Sequence, residues 1–288
     1  MLALLRPLLL AVAAVSITAC APSSGPPSAT DIRAEQGQAR ALVRELNAKD
    51  KLIEDRSLNT YLAGILGRID QQRPRGSVPL KGHIVADADV NAFTTGGGYV
   101  FVNAGLLAAM ENEAQLAMVV SHEVAHVDRG HIAANKDAQM AAGIGGLIAA
   151  VGLSALGLPS DVINPVVGLG QGAAIASYSR TQEGDADITG FQYLTGAGWN
   201  AVEGARSFEV LARIYGDGAG FFSSHPSSSG RQAQLTRMAR AQGVGGEINA
   251  ASYLRQTERL RRDVLKELDR QGRDREAAQL RRNLSAAR

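Results

Sequence analysis

The sequence predicts an α+β fold, mainly helical, with a small β-sheet or hairpin, and three observations carry that expectation. Apolar residues recur at helical spacing through residues 31–72, through 112–127, and again beyond Ser179. Only two short runs, His83–Ala86 and Tyr99–Val102, read as strands, and the glycines at 96–98 supply a turn before the second. No segment repeats at the 20–50-residue periods of solenoids, so no helical-repeat module is expected.

Taken in order, the chain opens with Arg6, an apolar run from Leu8 to Val15, and Ile17-Thr18-Ala19-Cys20. A basic start, a short apolar core and small residues describe a secretory signal over 1–19, too short for a membrane span. Cys20 is the only cysteine, so it forms no internal disulfide. Ile-Thr-Ala-Cys resembles a bacterial lipobox, which makes Cys20 the candidate lipidation site; the alternative is cleavage nearby and a free thiol. Ala21 follows it where aspartate is associated with retention at the inner membrane, so in a bacterium with two membranes the expected address is the periplasmic side of the outer membrane. Residues 20–29 then read as a Pro/Ser/Gly tether, 30–245 as one domain, and 246–288 as a helical extension. With 30 Lys+Arg against 28 Asp+Glu, no basic excess suggests a nucleic-acid partner.

Residues 31–72 read as two helices, the second burying Leu58, Leu62, Ile65, Leu66 and Ile69 on one face and ending at Pro74 and Gly76. Asn112-x-x-Gln115 is a capping arrangement at the head of a helix whose stripe is Leu116, Val119, Val120 and Val124. Met140 to Leu158 approaches the length of a membrane helix. Its glycines make it weakly hydrophobic, so a membrane-facing helical hairpin with 162–176, placed to act as a lid, is expected ahead of a span. Ser179-x-x-Gln182 opens a further helix, and Phe208, Leu211 and Tyr215 keep helical spacing until Gly216. Gly216 to Gly230 reads as a mobile stretch. From Glu247 the chain is polar and helical, with Leu260, Val264, Leu265 and Leu268 as its stripe and a charged face that is ordinarily solvated.

The chemistry concentrates in His122-Glu123-Val124-Ala125-His126. Positions four apart on a helix differ by about 40° in azimuth, so both imidazoles reach one metal ion while Glu123 stands beside an open coordination position. Two imidazoles, a carboxylate and a water suit Zn2+, and a neighbouring carboxylate can take the proton of a water attacking a carbonyl. His131 is set aside as third ligand, because it joins the pair only if the chain breaks at Gly130. Glu183 is the better candidate, with Asp187 one turn on to accept a ligand histidine's second N–H. Alone, those two residues read equally well as an acidic helix start favoured by the dipole. His83 is read as a strand residue.

Asn91-Ala92-Phe93-x-x-Gly96-Gly97-Gly98-Tyr99-Val100-Phe101-Val102-Asn103, His122-Glu123-x-x-His126, Glu183-x-x-x-Asp187 and His225-Pro226 with Arg231 occur in that order. Together they resemble the zinc metallopeptidase family that contains HtpX, the mitochondrial Oma proteases, the CAAX prenyl proteases and the periplasmic members LoiP and BepA. The likeness spans roughly residues 30 to 240. Thr94-Thr95 depart from it, standing where many relatives carry a small residue and a proline. The resemblance implies a gluzincin-type domain holding one Zn2+ per chain through His122, His126 and Glu183, with Glu123 as catalytic base. It implies protein substrates, misfolded or misassembled envelope proteins; the alternative is a chaperone or outer-membrane assembly factor with latent protease activity. His225 is a catalytic candidate with three readings: oxyanion donor, latent fourth ligand, or turn residue. Asn91, Phe93, Gly97 and Gly98 are candidate substrate-binding residues, because an edge strand beside a metal takes extended peptides by adding a strand. A plain structural hairpin is the equal alternative.

Overall fold

The computed structural model describes residues 25–141, 178–215, 221–226, 229–243 and 245–285. The signal, Cys20, and all but the first two residues of the 140–158 segment lie outside the described residues, as does the hairpin partner at 162–176. Among the described residues no helix is long and apolar enough to cross a membrane.

The two expected N-terminal helices are α1 (Ala29–Ala48) and α2 (Arg56–Asp70). Ser28 and Asp31 form a reciprocal capping box that starts α1, so the tether ends there. The sheet has three strands, β1 (Lys81–Val85), β2 (Ala92–Gly96) and β3 (Tyr99–Asn103), in the order β1-β3-β2. β2 and β3 form an antiparallel hairpin, whereas β1 pairs with β3 in parallel, a connection that local sequence does not announce. Gly97 and Gly98 turn the hairpin at φ 60° and 87°, the left-handed region that such a two-residue turn needs at both positions. One sheet face packs on α1 through Phe93, Tyr99 and Phe101; the other joins the main core through Ala92, Val100 and Val102.

α3 (Ala104–Ala109) leads into α4 (Glu113–Asp128), capped as expected by Asn112, whose side chain accepts from the Gln115 N–H. Every residue of α4 from Glu113 to Val127 is buried, so this helix is the axis of the molecule. Both of its ends are held through acids, the buried Glu113 and the partly buried Asp128. Glu113, in the first turn where the helix dipole favours a carboxylate, accepts from Tyr61, Trp199 at 2.7 Å and Asn249 at 2.9 Å. Asp128, at the other end, accepts two hydrogen bonds from Arg73 at 2.6 and 2.9 Å and one from Tyr193 at 2.9 Å.

Gly130 turns the chain at φ 66° into α5 (His131–Ala141). The expected capping box of Ser179 and Gln182 starts α6 (Arg180–Gly196), followed by α7 (Ala201–Tyr215). Of the stretch 216–230 expected to be mobile, 216–220 and 227–228 lie outside the described residues; the rest carries a helical turn, α8 (Phe221–Ser224), and the start of α9 (Ser229–Gln242). Phe221 and Phe222 anchor it: both are buried, and both pack on Phe208 of α7. The extension forms α10 (Ala250–Arg270) and α11 (Asp274–Ser285), whose Tyr253, Leu260, Val264, Leu268 and Leu280 belong to the same core as α4.

Candidate active site

α4 and α6 build the centre between them. Gly190 permits their approach: a Cβ there would lie 2.8 Å from the His122 nitrogen and 3.0 Å from its Cα. Asp187 and Glu183, one and two turns back along α6, are thereby set beside His122. His225 follows directly after α8, with its ring stacked on Phe221 at 4.3 Å between centroids.

His122, His126, Glu183 and His225 each offer a ligand atom, and these atoms lie within 4.8 Å of one another, all buried. His122 Nε2 stands 3.0 Å from His126 Nε2, 3.2 Å from His225 Nδ1 and 3.7 Å from Glu183 Oε2. Glu183 Oε1 is 3.4 Å from His126 Nε2 and 3.0 Å from His225 Nδ1. Donors on a tetrahedral zinc, with arms of about 2.0–2.1 Å, stand roughly 3.3–3.4 Å apart, so the observed separations bracket what that ion requires. Neutral imidazoles whose lone pairs face each other repel unless a cation lies between them. The donor set therefore fits a metal, and zinc suits its mix of nitrogen and oxygen.

Glu123 is fully buried beside the cluster, and neither of its oxygens has a hydrogen-bond partner among the described residues. His225 Nε2 is its near neighbour, at 3.3 Å from Oε1. Burial raises the Glu123 carboxyl above the ordinary range against the opposing pull of His225 and His122. A buried carboxylate is costly without a donor, and a water in this space would supply one.

Arg231, on α9, ties the parts together. Its Nε and Nη2 donate to the two oxygens of Asp187 at 2.6 and 2.8 Å, its Nη1 lies 2.5 Å from Glu183 Oε2, and it also donates to the Pro226 carbonyl at 2.9 Å. Asp187 Oδ1 is in turn 3.0 Å from His122 Nδ1, the ring nitrogen turned away from the cluster. Burial pushes the Asp187 carboxyl up, but Arg231 and His122 outweigh it and hold it below the usual range. Burial likewise opposes ionisation of Glu183, and His225 with His126 reverses it, leaving that carboxyl well below the ordinary value.

A profile of peptidase family M48 matches residues 58–239, more than half of the chain. The chain belongs to that family. Among M48 relatives, it is 28% identical over 165 residues to the beta-barrel assembly-enhancing protease of Escherichia coli K12, a match covering 55% of this chain and 33% of the relative. It is 31% identical over 168 residues to metalloprotease LoiP of the same strain, covering 58% and 65%. To metalloprotease YcaL it is 34% identical over 160 residues, covering 54% and 61%. The chain thus spans about a third of the first relative and under two thirds of the other two.

Within this M48 fold the expected residues divide into two groups. His122, Glu123, His126, Glu183, Asp187 and His225 converge on one buried centre. The expected substrate residues sit on the sheet instead. Phe93 stacks on Phe101 at 4.9 Å in the α1 cluster, and Gly97 donates its N–H to Glu35 at 2.7 Å and accepts from Gln36 at 3.4 Å. The Gly98 carbonyl accepts from Lys81 at 2.8 Å, and the Asn91 carbonyl from Asn103 at 3.0 Å. His83 stacks on Tyr99 and Phe101 in β1 and stands outside the metal group. Two residues were not singled out for the parts they take here. Tyr178, just ahead of the Ser179 cap, stacks on His126 at 3.7 Å, and His131 packs against His126 from the other direction. An aromatic residue directly before a capping box that opens with metal-site acids is the only sequence signal for the first.

Proposed function

We propose that this chain is a zinc-dependent endopeptidase of the bacterial envelope, held on the periplasmic face of the outer membrane by lipid on Cys20. It would hydrolyse misfolded or misassembled envelope proteins. The observation that carries the reading is a buried four-donor cluster beside a carboxylate neither of whose oxygens has a hydrogen-bond partner among the described residues. The names of the E. coli relatives, two metalloproteases and a beta-barrel assembly-enhancing protease, support the substrate class.

In this reading His122, His126 and Glu183 hold one zinc, which when bound supplies Lewis acidity to a substrate carbonyl and acidifies water. Glu123 takes the proton of the attacking water and returns it to the leaving amine. Asp187 fixes the His122 ring with its proton on Nδ1, leaving Nε2 free to ligate, and Arg231 keeps Asp187 ionised. The outer edge of β2 is the proposed dock for an extended peptide, with Asn91, Phe93, Gly97 and Gly98 setting its position rather than gripping side chains. Zinc analysis of the full chain with casein cleavage, before and after chelation, tests this. One zinc per chain and chelator-sensitive cleavage are expected; a metal-free, inactive full chain would refute it. For the anchor, palmitate labelling is expected for the wild type and lost in Cys20→Ser, while an unlabelled wild type would refute lipidation.

A second reading, an assembly factor with latent protease activity, is favoured by one contact. His225 Nδ1 stands at the fourth corner of the donor set, where a catalytic water would sit. If His225 closes the centre, His225→Ala raises basal cleavage severalfold at unchanged zinc content. A lowered rate at unchanged zinc would make it an oxyanion donor instead. No change in either would remove it from the site.

A further inference from the structure

The two helical histidines of the centre are held from outside in different ways, and only one holder is a carboxylate. His122 turns Nδ1 to Asp187. His126 turns Nδ1 to a third histidine: His131 Nδ1 lies 2.9 Å from it, and His131 is completely buried. With His126 Nε2 aimed at the cluster, its ring proton belongs on Nδ1, so His131 Nδ1 must accept. The His131 proton is then on Nε2, which faces Asp185 Oδ2 at 3.3 Å. Asp185 is itself held by Arg129 at 2.6 Å, and it lies on α6, two residues beyond Glu183. The left-handed turn at Gly130 makes the contact, because it folds His131 back onto the helix end that carries His126.

We propose that His131 is a positioning residue for His126, accepting its Nδ1 proton so that Nε2 presents a fixed lone pair to the metal, with Asp185 fixing the tautomer of His131 in turn. His131 does not touch the metal, since the donor cluster is complete without it. The inference rests on the proposed zinc site, so wild type and variants are measured side by side.

The test is zinc affinity of the full-length protein, by competition with a chromophoric chelator, for His131→Leu, His131→Asn and Asp185→Ala. Leucine fills the space without an acceptor, whereas asparagine can set its oxygen near the position of the imidazole Nδ1. Outer partners of ligand histidines are worth roughly tenfold to a hundredfold in affinity, so His131→Leu is expected to lose that much and His131→Asn to recover most of it. Asp185→Ala, at a partly exposed residue, is expected to weaken zinc by a few fold. If His131→Leu binds zinc as tightly as wild type, or if leucine and asparagine lose affinity equally, the positioning role is wrong. Should His131→Leu fail to fold, wild-type affinity in Asp185→Ala overturns the proposal. A wild type that binds no zinc overturns the zinc site instead.

Discussion

Glu35 is a charged residue spent on packing. It is 5% exposed, its Oε2 accepts the Gly97 N–H, and its Oε1 has no partner among the described residues. Burial pushes its carboxyl up to about 7, against the Gly97 bond and Lys136, which pull down, while Asp31 adds to the rise. A carboxyl raised on folding favours the native state while protonated, and that advantage is lost as pH climbs from the unfolded value through 7. Glu35→Gln keeps an acceptor for Gly97 and removes the titration. Thermal melts of both proteins should therefore agree near pH 4.5 and diverge by pH 8, the variant being more stable by on the order of 2 kcal/mol. A difference that stays constant with pH would contradict the account. Single residues were legible where chemistry and helical spacing coincide, as for His122, Glu123 and His126. His131 was weighed only as a ligand, because its contact with His126 depends on how sharply Gly130 turns the chain, and a sequence does not state an angle.

At the scale of elements, the caps were the most legible features. Asn112 with Gln115, and Ser179 with Gln182, start α4 and α6 where local hydrogen bonding dictates, which put Glu183 and Asp187 on the right turns. β1 was recognised as a strand, but its parallel pairing with β3 was not, since that partnership skips β2 and depends on the packing of β1 against α2, where Gly82 lies on Leu62 and Leu66. Gly190 was missed for the same reason: a glycine inside a helix marks a close approach without naming the partner. Its partner is the backbone of His122, so no rotamer change can relieve a clash. Gly190→Ala should cost about 1–3 kcal/mol from overpacking and reduce bound zinc, because α6 cannot move away without carrying Glu183 with it. Calorimetry with metal analysis checks this, and an unchanged melting temperature with full zinc content would show that the helices separate freely.

Across the whole molecule, one buried helix carries the metal pair and everything else fixes what surrounds it. Tyr61 of α2 and Asn249 at the head of α10 hold Glu113 at one end, Arg73 just past α2 and Tyr193 of α6 hold Asp128 at the other, α6 supplies the acids, and His225 after α8 and Arg231 on α9 complete the centre. α10 was expected to carry an apolar stripe of Leu260, Val264, Leu265 and Leu268 beside a solvated charged face. That stripe closes the core over α3, while one arginine of the helix, Arg261, is also buried and donates to the Met110 carbonyl. The central claim, that this scaffold holds a metal for Glu123 to work beside, is tested most directly by Glu123→Gln in the full chain. The account predicts one zinc per chain, as in wild type, and loss of casein cleavage, because the proposed ligands remain while the proton acceptor is gone. Wild-type cleavage by Glu123→Gln with zinc bound would contradict it.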